Sequence, residues 1–570
     1  MTKTAVRRTR SRGDLVAAGA AAALVLIAAV VAVLLQVAGN PVHAGAAPLF
    51  ARWLPHAGPG TAPAVAVAVM AGRYGFELAK RLRWRAMLAA SYATAFTWTL
   101  SLALVDGWQR GVAGRLTTRP EYLTEVPGVT DIPAMLRGFG GRILDFQPDS
   151  WTTHVAGHPP GALLVFVALD RLGLGGGAPA GLVCIAIAAL TAVAVPVTVR
   201  LLASEEAART SAPFVALFPG AVWAGVSADG LFAGVTASGV ALLAYGVVRR
   251  AKQAAFAGGL LLGAGAYLSY GLVLMAALVA AVMLIAPGGR RTAFWALAGA
   301  AVVVAAFSAA GFDWLTGYHL VSRRYYQGLA AHRPYAYWVW ADLAALAIAA
   351  GPAAAAILRR AAQPAAAATR PALAALRRRT TPPAAETGRP ALTAIRHGTT
   401  PPAAETGCPA LTAIRHGTTP PAAETGRPAA AIPHLAEPPA RTSIAAGPRT
   451  VAGTSTAKRS TEPPGTKAPS ARRPSAERRG AEGPAATRTG VWLPPLAAAG
   501  VWLLPLAAAG AILAADLSGY SKAEVERIWL PFAWWVMAGA ALLPERTRRP
   551  WLIAQMTVAL IVNHLLLTVW

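Results

Sequence analysis

Charge is the scarcest property of this chain. Only 14% of its 570 residues are Asp, Glu, Lys or Arg, against roughly 25% in soluble globular proteins. That is too little polar surface to solvate the several soluble domains such a length would otherwise imply. Cysteine is also nearly missing. Cys184 and Cys408 lie in an apolar run and a Pro-rich stretch, which excludes a disulfide framework and a cysteine metal site. Acids are half as common as bases, 25 against 52. The basic stretches have no interleaved stacking aromatics, so the formal charge of +27 does not indicate a nucleic-acid partner.

What is abundant is hydrocarbon. The chain is 55% hydrophobic with a mean hydropathy of +0.47. Apolar runs fall at about 15–38, 61–78, 86–105, 179–199, 210–226, 230–248, 254–270, 271–286, 292–311, 336–358, 491–515, 528–543 and 550–569. Backbone polar groups in lipid must be satisfied within the segment, so these runs predict helices. No run of about ten residues alternates in polarity as a membrane barrel would require. The expected fold is all-α, a polytopic transmembrane helix bundle of about 13 spans, with juxtamembrane helices in an outside loop and a disordered cytoplasmic insert.

Lysine and arginine set the orientation. Residues 1–14 carry Lys3, Arg7, Arg8, Arg10 and Arg12 and form a basic cytoplasmic tail. The first run is too long, and lacks a clear cleavage site, for a removable signal peptide. Alternating the runs puts 1–14, 73–85, 200–209, 249–252, 287–291, 359–490 and 544–549 inside, with 40 of the 52 Lys+Arg but 12 of the 25 Asp+Glu. Without the long 359–490 segment, the short inside segments still lead 20 to 12 in basic residues. The expectation is a multi-pass plasma-membrane protein with its N-terminus in the cytoplasm. The bundle would occupy 15–358, with the outside loop at 106–178, and C-terminal membrane helices would fill 491–570.

The 359–490 segment has its own character. It holds 20 of the 44 prolines and no aromatic residue. A 19-residue unit recurs from Arg370, Arg389 and Cys408, each copy with a Pro-Pro pair. Such a unit buries too little surface to offset the entropy of ordering it, so disorder is expected.

Polar chemistry concentrates in the outside loops. Asp106 ends the third run, and Glu121 lies in Pro120-Glu121-Tyr122. These are the two candidate catalytic carboxylates, ahead of Asp131, Asp145 and Asp149. His154 and His158 follow, and His158-Pro159-Pro160-Gly161 opens a short apolar stretch suited to an interfacial helix. Their i, i+4 spacing is compatible with metal ligation on a helix, but Gly157 and Pro159 flank His158 and disfavour one. No cofactor is expected. Arginine on an outside face runs against the inside-positive tendency, so Arg323, Arg324 and Arg527, with Tyr325 and Lys522, are candidate binding residues. Asp229, between two runs, reads as a turn residue, although an intramembrane acid raises functional suspicion.

Short motifs along the chain resemble the GT-C superfamily of polyprenyl-phosphate-sugar-dependent glycosyltransferases, which includes protein O-mannosyltransferases and aminoarabinose transferases. Glu121-Tyr122 precedes His158-Pro159-Pro160-Gly161 by a similar interval, residues 217–232 look like the family's Pro…Ser-x-Asp helix pair, and SKAEVERIWLPF at 521–532 resembles its late outside loop. One departure is that two further runs stand before Asp106, where the family commonly has its acidic motif after the first helix. The resemblance implies a polyprenyl-phosphate-sugar donor and transfer to an acceptor hydroxyl at the extracytoplasmic face. Asp106 or Glu121 would be the base, and His158, Arg323, Arg324, Tyr325, Lys522 and Arg527 would contact the substrate. The competing readings are a transporter or flippase and a non-catalytic membrane protein.

Overall fold

The computed structural model describes residues 3–286, 289–380 and 496–568. These residues are helical apart from short connections and two three-residue strands. Strand β1 (Ala51–Trp53) pairs antiparallel with β2 (Leu566–Thr568), with Ala51 opposite Thr568. The core is one continuous apolar cluster with smaller satellites. Trp98, Trp338, Trp529 and Trp535 are its largest fully buried side chains.

The all-α class agrees with the sequence reading, but the expected span count does not. Among the described residues, six helices are long and apolar enough to cross a membrane: Arg12–Val37, Trp84–Val105, Gly177–Leu202, Ala228–Arg249, Arg291–Ala309 and Ala499–Leu517. A seventh is present if the bent pair Tyr335–Ala350 and Pro352–Ala366, which turns through 108°, counts as one span. The figure of about 13 is therefore corrected to six or seven.

The reasons are physical. Hydropathy registers composition, whereas a span also needs an unbroken, uncharged helix of about 20 residues. The 210–226 run breaks after helix Glu205–Ala216 and resumes only as the four-residue Ala221–Ala224. The 271–286 run starts as a 3-10 turn and leaves a helix of 10 residues, Ala276–Ile285. The 528–543 run is divided among Val525–Ile528, Leu530–Ala533 and the 3-10 segment Trp534–Leu542. Lys252–Leu268 has only 17 residues. Thr61–Arg81 and Glu545–Leu565 each reach 21 residues, but charges occupy one end of each.

The sharp bend has a local cause. Gly351 sits at φ +77°, and a Cβ there would come within 2.8 Å of Pro219. Only glycine adopts that backbone without strain, and Pro352 then opens the next helix, where its missing N–H costs nothing. That helix continues to Thr380. Residues 381–495, which contain most of the proposed disordered insert, lie outside the described residues.

Contacts sort the charged segments into two groups. Arg209 donates to the carbonyls of Ala79 and Leu82, Lys80 pairs with Glu545, and Arg549 donates to the Gly72 carbonyl. The segments 73–85, 200–209 and 544–549 therefore lie together. Asp14 takes both Arg359 and Arg360. The connections after the opposite helix ends gather elsewhere, and they build the site described next.

Candidate functional site

The loop expected on the outside begins where Trp84–Val105 ends. Asp106 terminates that helix, and its carboxylate lies 2.7 Å from His56 Nε2 and 3.5 Å from Arg110. The chain then runs through short turns to Pro120, whose carbonyl accepts from the His154 backbone N–H at 3.0 Å. This link closes the loop on itself and sets the next residue, Glu121, against the His154 ring. Glu121 Oε1 is 3.0 Å from Nδ1, and both side chains are buried. Tyr122 turns inward and stacks on Phe166 with ring centroids 4.9 Å apart. Its hydroxyl lies 2.9 Å from His158 Nδ1, which is also 2.8 Å from the His154 carbonyl. Pro159 and Pro160 follow, and Pro160 opens the ten-residue helix Pro160–Leu169 whose Ala162, Leu163, Phe166 and Val167 pack into the core.

Two distant segments complete the cluster. Ser227 caps Ala228–Arg249 by accepting from Gly230 N–H at 3.1 Å, which places Asp229 in the first helical turn. A carboxylate is favoured there by the helix dipole. The short helix Val525–Ile528 brings Arg527 to it, with Nε 3.2 Å from Asp229 Oδ2 and Nη2 3.8 Å from Glu524. Glu121, Asp229 and Arg527 are 6%, 4% and 6% exposed. Charges so deeply buried persist only when paired.

The electrostatics are mutual. Burial pushes the Glu121 carboxyl up, but His154, Arg527 and Arg115 outweigh it and hold the group below its usual value. Burial alone would lower Arg527, and Asp229, Glu524 and Glu121 reverse that. Arg115, anchored on the Thr568 carbonyl at 3.0 Å, is pushed down to about 10 by burial against the pull of Asp106 and Glu121. Burial also lowers His158, with Asp229 opposing, so at neutral pH its imidazole is uncharged. The cluster thus contains an ionised carboxylate, fixed guanidinium groups and a neutral imidazole.

A second arm continues from Glu524. Its carboxylate accepts from Arg333 Nη1 at 3.2 Å. Arg333 also donates to the Lys522 carbonyl, and Lys522 Nζ donates to the Arg333 carbonyl at 3.1 Å. The Lys522 N–H donates to the Tyr325 hydroxyl at 2.9 Å, and Asp342 accepts from the Ala523 N–H at 3.1 Å.

The proposed residues therefore separate. Glu121, His158 and Arg527 come together, and Lys522 and Tyr325 join them through Glu524 and Arg333. Asp106 is held apart by His56, though its charge reaches Arg115. Arg324 instead braces the loop, donating to the Ile143 carbonyl at 2.9 Å and facing Asp145 at 3.4 Å. Arg323 is exposed on Trp314–Tyr325. Asp229, Arg115 and Glu524 belong to the cluster but were not among the selected residues. A signal for Asp229 was present, an acid two residues after a serine cap at the head of an apolar run. Arg115 carried the same outside-arginine signal as Arg527. Among the described residues no group of three or more His, Cys, Asp or Glu could hold a metal ion.

Among the described residues, apolar grooves run along both sides of Thr61–Arg81. One, of about 300 Å³, lies against residues 87–97 and 212–217. The other, of about 430 Å³, lies against residues 549–560. Neither is lined by Glu121, Asp229 or Arg527. Comparison with protein-family models, curated proteins and solved structures finds no match to the chain. The resemblance carried by the short motifs has no family match behind it.

Proposed function

We propose that this polytopic membrane protein transfers a sugar from a polyprenyl-phosphate donor to an acceptor hydroxyl at the extracytoplasmic face of the plasma membrane. The observation that carries the reading is the convergence of Glu121, Asp229 and Arg527 from three separate parts of the chain. In the reaction, the acceptor oxygen bonds to the anomeric carbon as the bond from that carbon to the phosphate oxygen breaks. Glu121 takes the acceptor proton. The lipid phosphate leaves as a monoester and needs no strong acid, only cations to receive its charge, for which Arg527 and Arg115 are placed. His154 orients the base, and neutral His158 can hydrogen-bond a substrate hydroxyl.

A specific observation favours a second reading, in which the protein is a transporter, a flippase or a non-catalytic membrane protein. Glu121 already faces His154 and Asp229 already pairs with Arg527, and neither apolar groove is lined by the cluster. The decisive experiment assays membranes with radiolabelled polyprenyl-phosphate-linked hexoses and pentoses. Transfer by the wild type that is lost in Glu121→Gln and Asp229→Asn supports the first reading. Unchanged transfer in Glu121→Gln removes the base. No transfer by the wild type with any of these donors leaves the second reading.

A further inference from the structure

The larger apolar groove ends in charge. Val65, Ala68, Val69 and Gly72 of one helix face Ile553, Met556, Thr557 and Leu560 of another, and Arg73 and Arg549 line the same groove at one end. Small side chains form its floor: a Cβ on Gly72 would come within 3.2 Å of Met556. Val69 is 62% and Ile553 46% exposed, so in a bilayer these walls face lipid chains. The two arginines differ from their neighbours. Glu77 is engaged by Arg81 and Glu545 by Lys80. Among the described residues no carboxylate forms an ion pair with Arg73 or Arg549. Arg549 is held in place by donating Nε to the Gly72 carbonyl at 2.9 Å and Nη2 to the Arg73 carbonyl. Its Nη1 is not used by either bond. Arg73 has its guanidinium 5.2 Å from the Tyr74 ring.

We infer that this groove is a binding site for one anionic phospholipid, with an acyl chain between the two helices and the headgroup phosphate between Arg73 and Arg549. Charge complementarity identifies the occupant. A neutral hydrocarbon would fill the groove but leave both cations without an anion, whereas a phosphodiester accepts from both guanidinium groups. A soluble anion would satisfy the arginines and leave the apolar walls unused. Basic pockets between membrane helices attract anionic headgroups for the same reason. The site is separate from the Glu121–Arg527 cluster and does not depend on the transferase reading.

The test uses the full chain in nanodiscs of phosphatidylcholine doped with phosphatidylglycerol, with co-purifying lipid counted by native mass spectrometry. The wild type should retain phosphatidylglycerol in preference to phosphatidylcholine. The Arg73→Gln/Arg549→Gln protein should lose that preference by on the order of tenfold. Arg83→Gln/Arg85→Gln makes the same charge change away from the groove and should keep it. Val69→Trp narrows the groove with both arginines intact and should also lower retention. An equal preference in wild type and Arg73→Gln/Arg549→Gln would overturn the proposal, as would an equal loss in the Arg83→Gln/Arg85→Gln control. Should the double Gln variant fail to fold, Val69→Trp decides alone, and undiminished retention in it counts against the site.

Discussion

The two ends of the bundle handle charge in opposite ways. At the Glu121 end, carboxylates and guanidinium groups from distant segments are buried together, Asp229 with Arg527 and Glu121 with His154. Around Lys80, pairs lie in water or follow one helix, and the buried exception on that side is Asp14, 2% exposed and held by Arg359 and Arg360. Lys80 and Glu545 are 54% and 73% exposed, and Arg209 reaches Glu205 at i,i+4. Removing one member of a buried pair leaves an uncompensated charge and costs several kcal/mol, whereas exposed pairs contribute little. A buried ion pair is weak evidence of stabilisation, so the Glu121 cluster is the part of this contrast to test for function.

The largest effect should come from breaking the chemistry at the buried end. Glu121→Gln keeps the shape of the side chain and one acceptor facing His154, but it removes the carboxylate proposed as the base. Transfer in the membrane assay should fall by about 10²–10⁴-fold. The same assay on Lys80→Gln should show no loss, because that residue belongs to the other end.

Next comes stability at the same cluster. Asp229→Leu strips Arg527 of its nearest carboxylate, and unfolding in detergent should become easier by about 3–5 kcal/mol. Asp229→Leu combined with Arg527→Met removes both charges and should recover most of that loss. If the double variant is as unstable as the single one, the pair is not the unit that holds these segments together.

Legibility in the sequence followed the same division. Arg527 stood out as an arginine in a loop read as outside, and Glu121 through its spacing from His158, which resembles the family's motif. Asp229 looked like a turn residue, since nothing local shows that Val525–Ile528 will fold back against its helix. Pairing between segments so far apart is decided by packing, which periodicity does not register. Helix character was readable throughout, because apolar runs in lipid have few alternatives. The number of spans was not, because Leu217 to Ser227 and Ser269 to Met275 interrupt runs whose average hydropathy stays high. Cap and break geometry, more than composition, separates one long helix from two short ones.

A pH scan sharpens the comparison further. Glu526, beside Arg527, is 1% exposed and accepts from the Phe50 N–H at 2.9 Å. Burial, opposed by backbone hydrogen bonds, pushes its pKa up from 4.5 to about 7. The folded protein therefore holds a proton there that the unfolded chain has lost. Folding is not penalised by this group below about pH 4.5, and stability declines as pH rises towards about 7. Glu526→Gln keeps the acceptor for Phe50 without the charge. It should match the wild type at pH 4 and exceed it by roughly 1–3 kcal/mol at pH 8. Parallel stability curves for the two proteins would show that Glu526 does not titrate in this range.

The smallest effect belongs to the Lys80–Glu545 pair, and it tests whether the contrast between the ends is real. Their contact at 2.8 Å is shorter than Glu121–His154 at 3.0 Å or Asp229–Arg527 at 3.2 Å, so distance alone would not favour the buried pairs. Lys80 and Glu545, however, keep most of their hydration, and holding two long side chains together costs conformational entropy. Glu545 draws the Lys80 pKa up and Lys80 draws Glu545 down, yet with this exposure the attraction is largely screened. Lys80→Met should change stability by less than about 0.5 kcal/mol, and the change should shrink further in 0.5 M salt, where the screening length is only a few ångströms. The Asp229→Leu loss should be nearly salt-independent, because counterions do not reach a buried pair. A Lys80→Met loss as large as that of Asp229→Leu, or a buried-pair loss that salt abolishes, would show that solvent reaches both ends alike and that the Glu121 end has no special electrostatic environment to offer a substrate.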